Sequence, residues 1–126
     1  MQLKAIDHFV ITTKDLNACL HFYVDILGMQ HIVDGRHHFL LFGAQKINLH
    51  TRIGEFAPYA TNANYGTQDF CLIASGNIDA IKLELEKAGV KIIAGVVERH
   101  GAQGLMDSVY MNDPDGNLVE IAVYRN

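Results

Sequence analysis

Ile6-Asp7-His8-Phe9-Val10-Ile11-Thr12-Thr13 is an apolar, β-branched run that ends in polar residues, and its pattern returns at Thr67-Gln68-Asp69-Phe70-Cys71-Leu72-Ile73-Ala74. Both stretches read as strands. Asp69-Phe70 lies under His8-Phe9 at an offset of 61 residues, and Ala88-Gly89 lies under Leu27-Gly28 at the same offset. Ile47-Asn48-Leu49 lies under Val119-Glu120-Ile121. A repeat of this length marks two supersecondary units. One helix and a few strands can hardly bury their own apolar face, whereas two such units together can.

Working outward, Asp15 to Leu27 carries Leu16, Cys19, Leu20, Tyr23 and Leu27 at helical spacing, with Asp15 as N-cap and Gly28 as the stop. Three strands are expected next, at Met29 to Val33, His38 to Phe42 and Gln45 to Thr51, divided by Asp34-Gly35 and Gly43. Residues 52 to 66 contain Gly54, Pro58, Asn62, Asn64 and Gly66 without a clean period and read as a connection. In the second half, Asn77 to Ala88 is a helix closed by Gly89, with Ile78, Ile81, Leu85 and Ala88 on one face. Strands are expected at Lys91 to Val97, Ser108 to Asn112 and Asn117 to Tyr124. The turn Asp113-Pro114-Asp115-Gly116 precedes the last, and Gly101 to Gly104 reads as a flexible loop.

The 126 residues suffice for one domain with a real core. With 49% hydrophobic and 19% charged residues the chain is globular in character. A net charge of -4 argues against nucleic acid as a partner. No run approaches the ~20 apolar residues that span a bilayer. No signal-peptide pattern opens the chain, so a cytoplasmic setting is expected, with Cys19 and Cys71 as reduced, buried thiols.

Alternation along strands puts polar residues among apolar neighbours at four places. His8 shares a face with Ile6 and Val10, Asp69 with Cys71 and Ile73, Glu120 with Leu118 and Ala122, and Asn48 with His50. A buried polar group needs a partner. The repeat makes His8 equivalent to Asp69 and Asn48 equivalent to Glu120, so units curling about a shared cavity would bring these positions together. One imidazole and two carboxylates suit a divalent ion such as Fe, Mn, Zn or Ni. Three protein ligands leave places open for a bidentate substrate. Each residue also has a plainer reading. His8 is a rim histidine, Asp69 caps the turn after Gln68, Glu120 pairs with Lys91 or Arg125, and His50 is a polar residue near a loop.

The whole pattern resembles the vicinal oxygen chelate superfamily, the glyoxalase, bleomycin resistance and extradiol dioxygenase type. The motifs that carry it are Ile6-Asp7-His8-Phe9-Val10 with Asp15-Leu16, His21-Phe22-Tyr23, Leu27-Gly28-Met29, and Asp113-Pro114-Asp115-Gly116-Asn117-Leu118-Val119-Glu120. The resemblance implies an α+β fold of two βαβββ modules, 1–52 and 67–126, joined by a linker at 53–66. The modules would form a cup-shaped mixed sheet with helices outside, in a chain that pairs as a homodimer. It further implies a divalent metal held by His8, Asp69 and Glu120.

Two departures stand out. The family usually has His where this chain has Asp69, and glyoxalase I has Glu where this chain has Asn48. A carboxamide cannot serve as general base. His50, on the same strand face, is the candidate replacement, since an imidazole exchanges protons near neutrality. Tyr110 is a candidate to orient a substrate oxygen, against the plainer reading of a core aromatic, and Arg99 and His100 lie beside the glycine loop as candidates to close over the site. The expected function is a metal-dependent lyase or ring-cleaving dioxygenase acting on a small substrate chelated through neighbouring oxygens. The alternative is a binding protein of the same fold, such as an antibiotic-sequestering one, without metal catalysis.

Overall fold

Local capping chemistry sets both helical segments. Asp15 accepts a hydrogen bond from the Ala18 amide and starts α1 (Leu16–Leu20). The chain continues as a π-helical stretch, His21–Ile26, in which the Leu27 amide reaches back to the Phe22 carbonyl. Gly28, at φ 80°, ends it by donating to the Val24 carbonyl, the left-handed cap predicted at that glycine. The second helix, α2 (Ile78–Lys87), starts on Asn77, whose side chain accepts from Ala80. It ends in a full Schellman arrangement, with Val90 donating to Leu85 and Gly89, at φ 87°, donating to Glu86. Lys87 in the last turn and Asp79 in the first each lie at the end of the helix dipole that favours their charge.

The computed structural model describes residues 1–125; the final residue of the predicted second module lies outside them. The described chain forms two compact units, Met1–Thr67 and from Gln68 onward. Each holds one four-stranded mixed sheet, so the α+β reading stands.

In the first unit the strands are β1 (His8–Thr12), β2 (Gln30–Asp34), β3 (His37–Phe42) and β4 (Gln45–His50), in spatial order β1-β4-β3-β2. β1 runs parallel to β4, and the β2–β3 and β3–β4 pairs are antiparallel. In the second unit the strands are β5 (Asp69–Ile73), β6 (Ala94–Gly101), β7 (Gly104–Asn112) and β8 (Leu118–Tyr124), in order β5-β8-β7-β6. The connectivity repeats, with β5 parallel to β8 and the other pairs antiparallel.

The register repeats too. Val10 pairs with Asn48 and Cys71 pairs with Glu120, with Phe39 and Tyr110 as the next partners across. Residues 61 apart on the first strands thus meet residues 72 apart on the last strands, as the sequence overlay requires.

Period-two alternation then builds each core. In the first unit Ile11, Leu40, Ile47 and Leu49 are buried, as are Cys19, Phe22 and Tyr23 of the helical segment. Phe22 and Tyr23 meet edge to face at 4.8 Å. In the second, Val109, Met111, Val119 and Ile121 are buried, and α2, burying Ile78 and Leu85, packs against β6 and β7.

The β6–β7 region departs from expectation. β6 begins at Ala94 rather than Lys91 and runs to Gly101, and β7 begins at Gly104. Gly101 pairs with Gly104, so the expected flexible loop is a two-residue hairpin turn. Arg99 and His100, placed beside that loop in the sequence reading, are strand residues paired to Met106 and Leu105. A glycine-rich run reads as loosely on paper as a tight turn does, because both need residues free of a Cβ.

Candidate functional site

In each unit, the strand positions holding the predicted residues share one face of the sheet. In the second unit Asp69 and Cys71 alternate onto the same side of β5, Leu118 and Glu120 onto that side of β8, and Tyr110 onto that side of β7. Cys71, Glu120 and Tyr110 form a row across three strands, and Asp69 lies diagonal to Glu120.

The Cys71 thiol lies beside the Glu120 carboxylate and donates to the Leu72 carbonyl at 3.9 Å. Burial, with that carboxylate beside it, pushes the thiol up to about 11. Cys71 is exposed as a residue, which corrects the expectation of two buried thiols; only Cys19 is buried. Glu120 Oε2 is buried and has no partner among the described residues.

Arg125 engages Glu98 and Asp107, not Glu120, which removes one plain reading of that glutamate. Tyr110 accepts a hydrogen bond from the Arg99 Nε–H at 2.9 Å, with the guanidinium 5.4 Å from its ring centroid. Its oxygen being engaged as acceptor, the phenol hydrogen is left to donate outward.

In the first unit His8, Asn48 and His50 share a face. The His8 Nδ1 lies 2.7 Å from Asp7 Oδ2, and both side chains are exposed. A carboxylate on Nδ1 holds that nitrogen protonated and leaves Nε2 as the electron-pair donor, the arrangement found behind metal-bound histidines. Nothing in the sequence reading singled out Asp7 for this.

Asn48 Oδ1 is buried without a partner among the described residues, as Glu120 Oε2 is. His50 is buried and meets the Phe56 ring edge-on at 5.3 Å. Burial pulls its pKa down, His37 adds to this, and Glu55 partly opposes it. The imidazole is therefore held neutral, able to accept a proton.

His8 and His50 belong to the first unit, and Asp69, Glu120 and Tyr110 to the second. Within neither unit, among the described residues, do three or more His, Cys, Asp or Glu side chains gather as they would around a metal ion. Taken one by one, Glu120 has a buried oxygen without a partner and His8 has its Nδ1 against a carboxylate, and each is a donor type that divalent cations accept.

Comparison with known proteins comes to the same architecture. Residues 5–121 match the model of the family described as Glyoxalase/Bleomycin resistance protein/Dioxygenase superfamily. The chain is 42% identical over 125 residues to "Virulence protein STM3117" of Salmonella typhimurium, covering 98% of this chain and 87% of that protein. The crystal structure of that Salmonella protein superposes with a TM-score of 0.95, covering 99% of this chain and 100% of the other. The chain is also 37% identical to "Glyoxalase domain-containing protein RDO1" of Mycosarcoma maydis, over all of this chain and 72% of the relative. A lactoylglutathione lyase from Agrobacterium tumefaciens is 25% identical with a TM-score of 0.75, covering 98% of this chain and 96% of that one.

Proposed function

The chain belongs to the Glyoxalase/Bleomycin resistance protein/Dioxygenase superfamily, and on that premise we propose a divalent-metal-dependent enzyme acting on a small substrate chelated through neighbouring oxygens. The observation that carries this reading is Glu120 Oε2, a buried carboxylate oxygen left without a partner in a row of polar side chains. A buried acceptor of that kind costs about 1–3 kcal/mol if nothing binds it.

In this reading His8, Asp69 and Glu120 hold the metal. A bound divalent ion would supply Lewis acidity toward the substrate's oxygens. The chain's own residues supply the rest. Tyr110, its oxygen already accepting from Arg99, donates its hydroxyl hydrogen to a substrate oxygen and orients it. His50, kept neutral by burial, accepts a proton in the role that Asn48 cannot fill. The chemistry is then a lyase or ring-cleaving dioxygenase reaction, since the fold alone does not choose between them. The same reading includes a cytoplasmic setting, supported by two free thiols, and a homodimer.

Metal analysis tests it, on full-length protein purified without chelator or nickel resin. Stoichiometric divalent metal is expected, lost in Glu120→Ala and reduced in His8→Ala and Asp69→Ala. Added Mn, Fe, Zn or Ni should raise the melting temperature of chelator-treated wild type and not of Glu120→Ala. No bound metal, together with no shift on addition of any of the four, would reject the proposal.

One observation favours a second reading, ligand binding without metal catalysis. Asn48 presents a carboxamide where a catalytic carboxylate would stand. Under that reading the metal-free protein binds its ligand as tightly as the metal-loaded one.

A further inference from the structure

A pair of histidines lies on the other face of the first unit's sheet, turned away from His8, Asn48 and His50. Alternation puts His31 of β2 and His38 of β3 on the side that carries Leu40, Ile47 and Leu49. His31 stands opposite Leu40 and His38 opposite Val33, so the two imidazoles are diagonal neighbours across the β2–β3 pair. The His31 Nε2 lies 2.9 Å from the His38 Nδ1, and the rings are nearly parallel with centroids 5.2 Å apart.

Only one hydrogen fits between those two nitrogens, so one ring donates and the other accepts. Neither imidazole has a carboxylate partner among the described residues. Burial, with His38 beside it, holds His31 below the ordinary imidazole range. A neutral imidazole offers a lone pair to a cation with no proton to displace. Both rings are half-buried, β2 is an edge strand of the sheet, and Val33, across from His38, is exposed. An ion can therefore reach the pair from solvent.

The spacing selects among ions. Nitrogens bound at about 2.0–2.1 Å stand about 2.9 Å apart at adjacent corners of a tetragonal ion, and about 3.4 Å apart around a tetrahedral one. The observed 2.9 Å is the tetragonal separation, the geometry of Cu(II) and Ni(II) rather than of Zn(II). Cu(II) also stands highest in the order of affinity for such ligands.

We propose that His31 and His38 form a two-nitrogen chelate for a tetragonal divalent ion, copper foremost, with water in the remaining positions. On binding, the ring that donates moves its proton to its outer nitrogen, and both inner nitrogens turn their lone pairs to the ion. The proposal does not rest on the reading of His8, Asp69 and Glu120. It shares no residue with that set and lies on the face of the sheet opposite His8.

The test adds Cu(II) to the chelator-treated full chain and follows the histidine side-chain signals by NMR. Within two equivalents, one for each proposed site, the His31 and His38 signals should broaden, and equally so in Glu120→Ala. In the Glu120→Ala background, His31→Gln and His38→Gln should each weaken copper binding about tenfold or more, and Zn(II) should bind the pair about tenfold more weakly than Cu(II). The broadening is read with both histidines in place, so it decides the matter even where a substitution lowers the melting temperature. His31 and His38 signals that stay sharp at two equivalents, copper affinity that survives both substitutions, or zinc held as tightly as copper overturns the inference.

Discussion

Asn48 and Glu120 occupy the same register position in their two sheets, each opposite the middle residue of the parallel first strand, and each keeps a buried oxygen without a partner. An unpaired buried acceptor destabilises a fold unless something binds it. Asn48→Leu, similar in size and apolar, should therefore raise stability by about 1 kcal/mol. Urea unfolding of the metal-free protein measures this through the midpoint at constant slope. A midpoint that falls would mean that Oδ1 is satisfied in solution.

Glu55 supplies a pH signature. Burial alone would raise its pKa, but the backbone N–H and hydroxyl of Thr51, at 2.8 and 2.9 Å, with Arg52 and His50 nearby, bring it below the ordinary carboxylate range. A carboxylate with a lower pKa in the folded than in the unfolded chain contributes its full stability above the unfolded pKa. That contribution is lost as pH falls through the folded value. Glu55→Gln should cost about 1–2 kcal/mol at pH 7, and the difference from wild type should shrink below pH ~4. Melting temperatures across that range check the sign, and a gap that widens with acid contradicts it.

Asp113 organises the turn into the last strand. Its Oδ1 accepts from the amides of Asp115 and Asn117, both at 2.9 Å, and its Oδ2 from the Asn117 side chain at 2.7 Å. The Asn117 Oδ1 in turn accepts from the amide of Gln68, the residue before β5. Both side chains are buried. Asp113→Ala leaves several buried donors unpaired and should cost about 3 kcal/mol. Loss of amide-exchange protection at Asn117 and Gln68 would mark the cause as local.

The helix caps offer a smaller and cleaner effect. Asp15 and Asn77 each accept from the amide three residues on. Asp15→Ala and Asn77→Ala should each cost about 1 kcal/mol. The sites are separate in sequence and share no partner, so the double variant should lose the sum of the two losses in denaturant unfolding.

Much of this architecture was legible in the residues. The 61-residue offset between His8 and Asp69, the caps at Asp15 and Asn77, and the stops at Gly28 and Gly89 all carried over into the folded chain. Each depends on neighbours within a few positions, or on a pattern repeated in the chain. The strand bounds around Lys91 to Gly104 did not carry over, because a glycine-rich turn and a glycine-rich loop share a composition.

Side-chain period and capping chemistry are local, so the sequence by itself determined two βαβββ units and which face of each sheet carries His8, Asn48, Asp69 and Glu120. What touches those residues was decided only by tertiary structure: the Cys71 thiol beside Glu120, Arg99 on Tyr110, and Lys46 beside Phe39 and opposite His8. Pairing between distant strands sets these contacts, and a change of one residue in register would turn every such side chain to the other face.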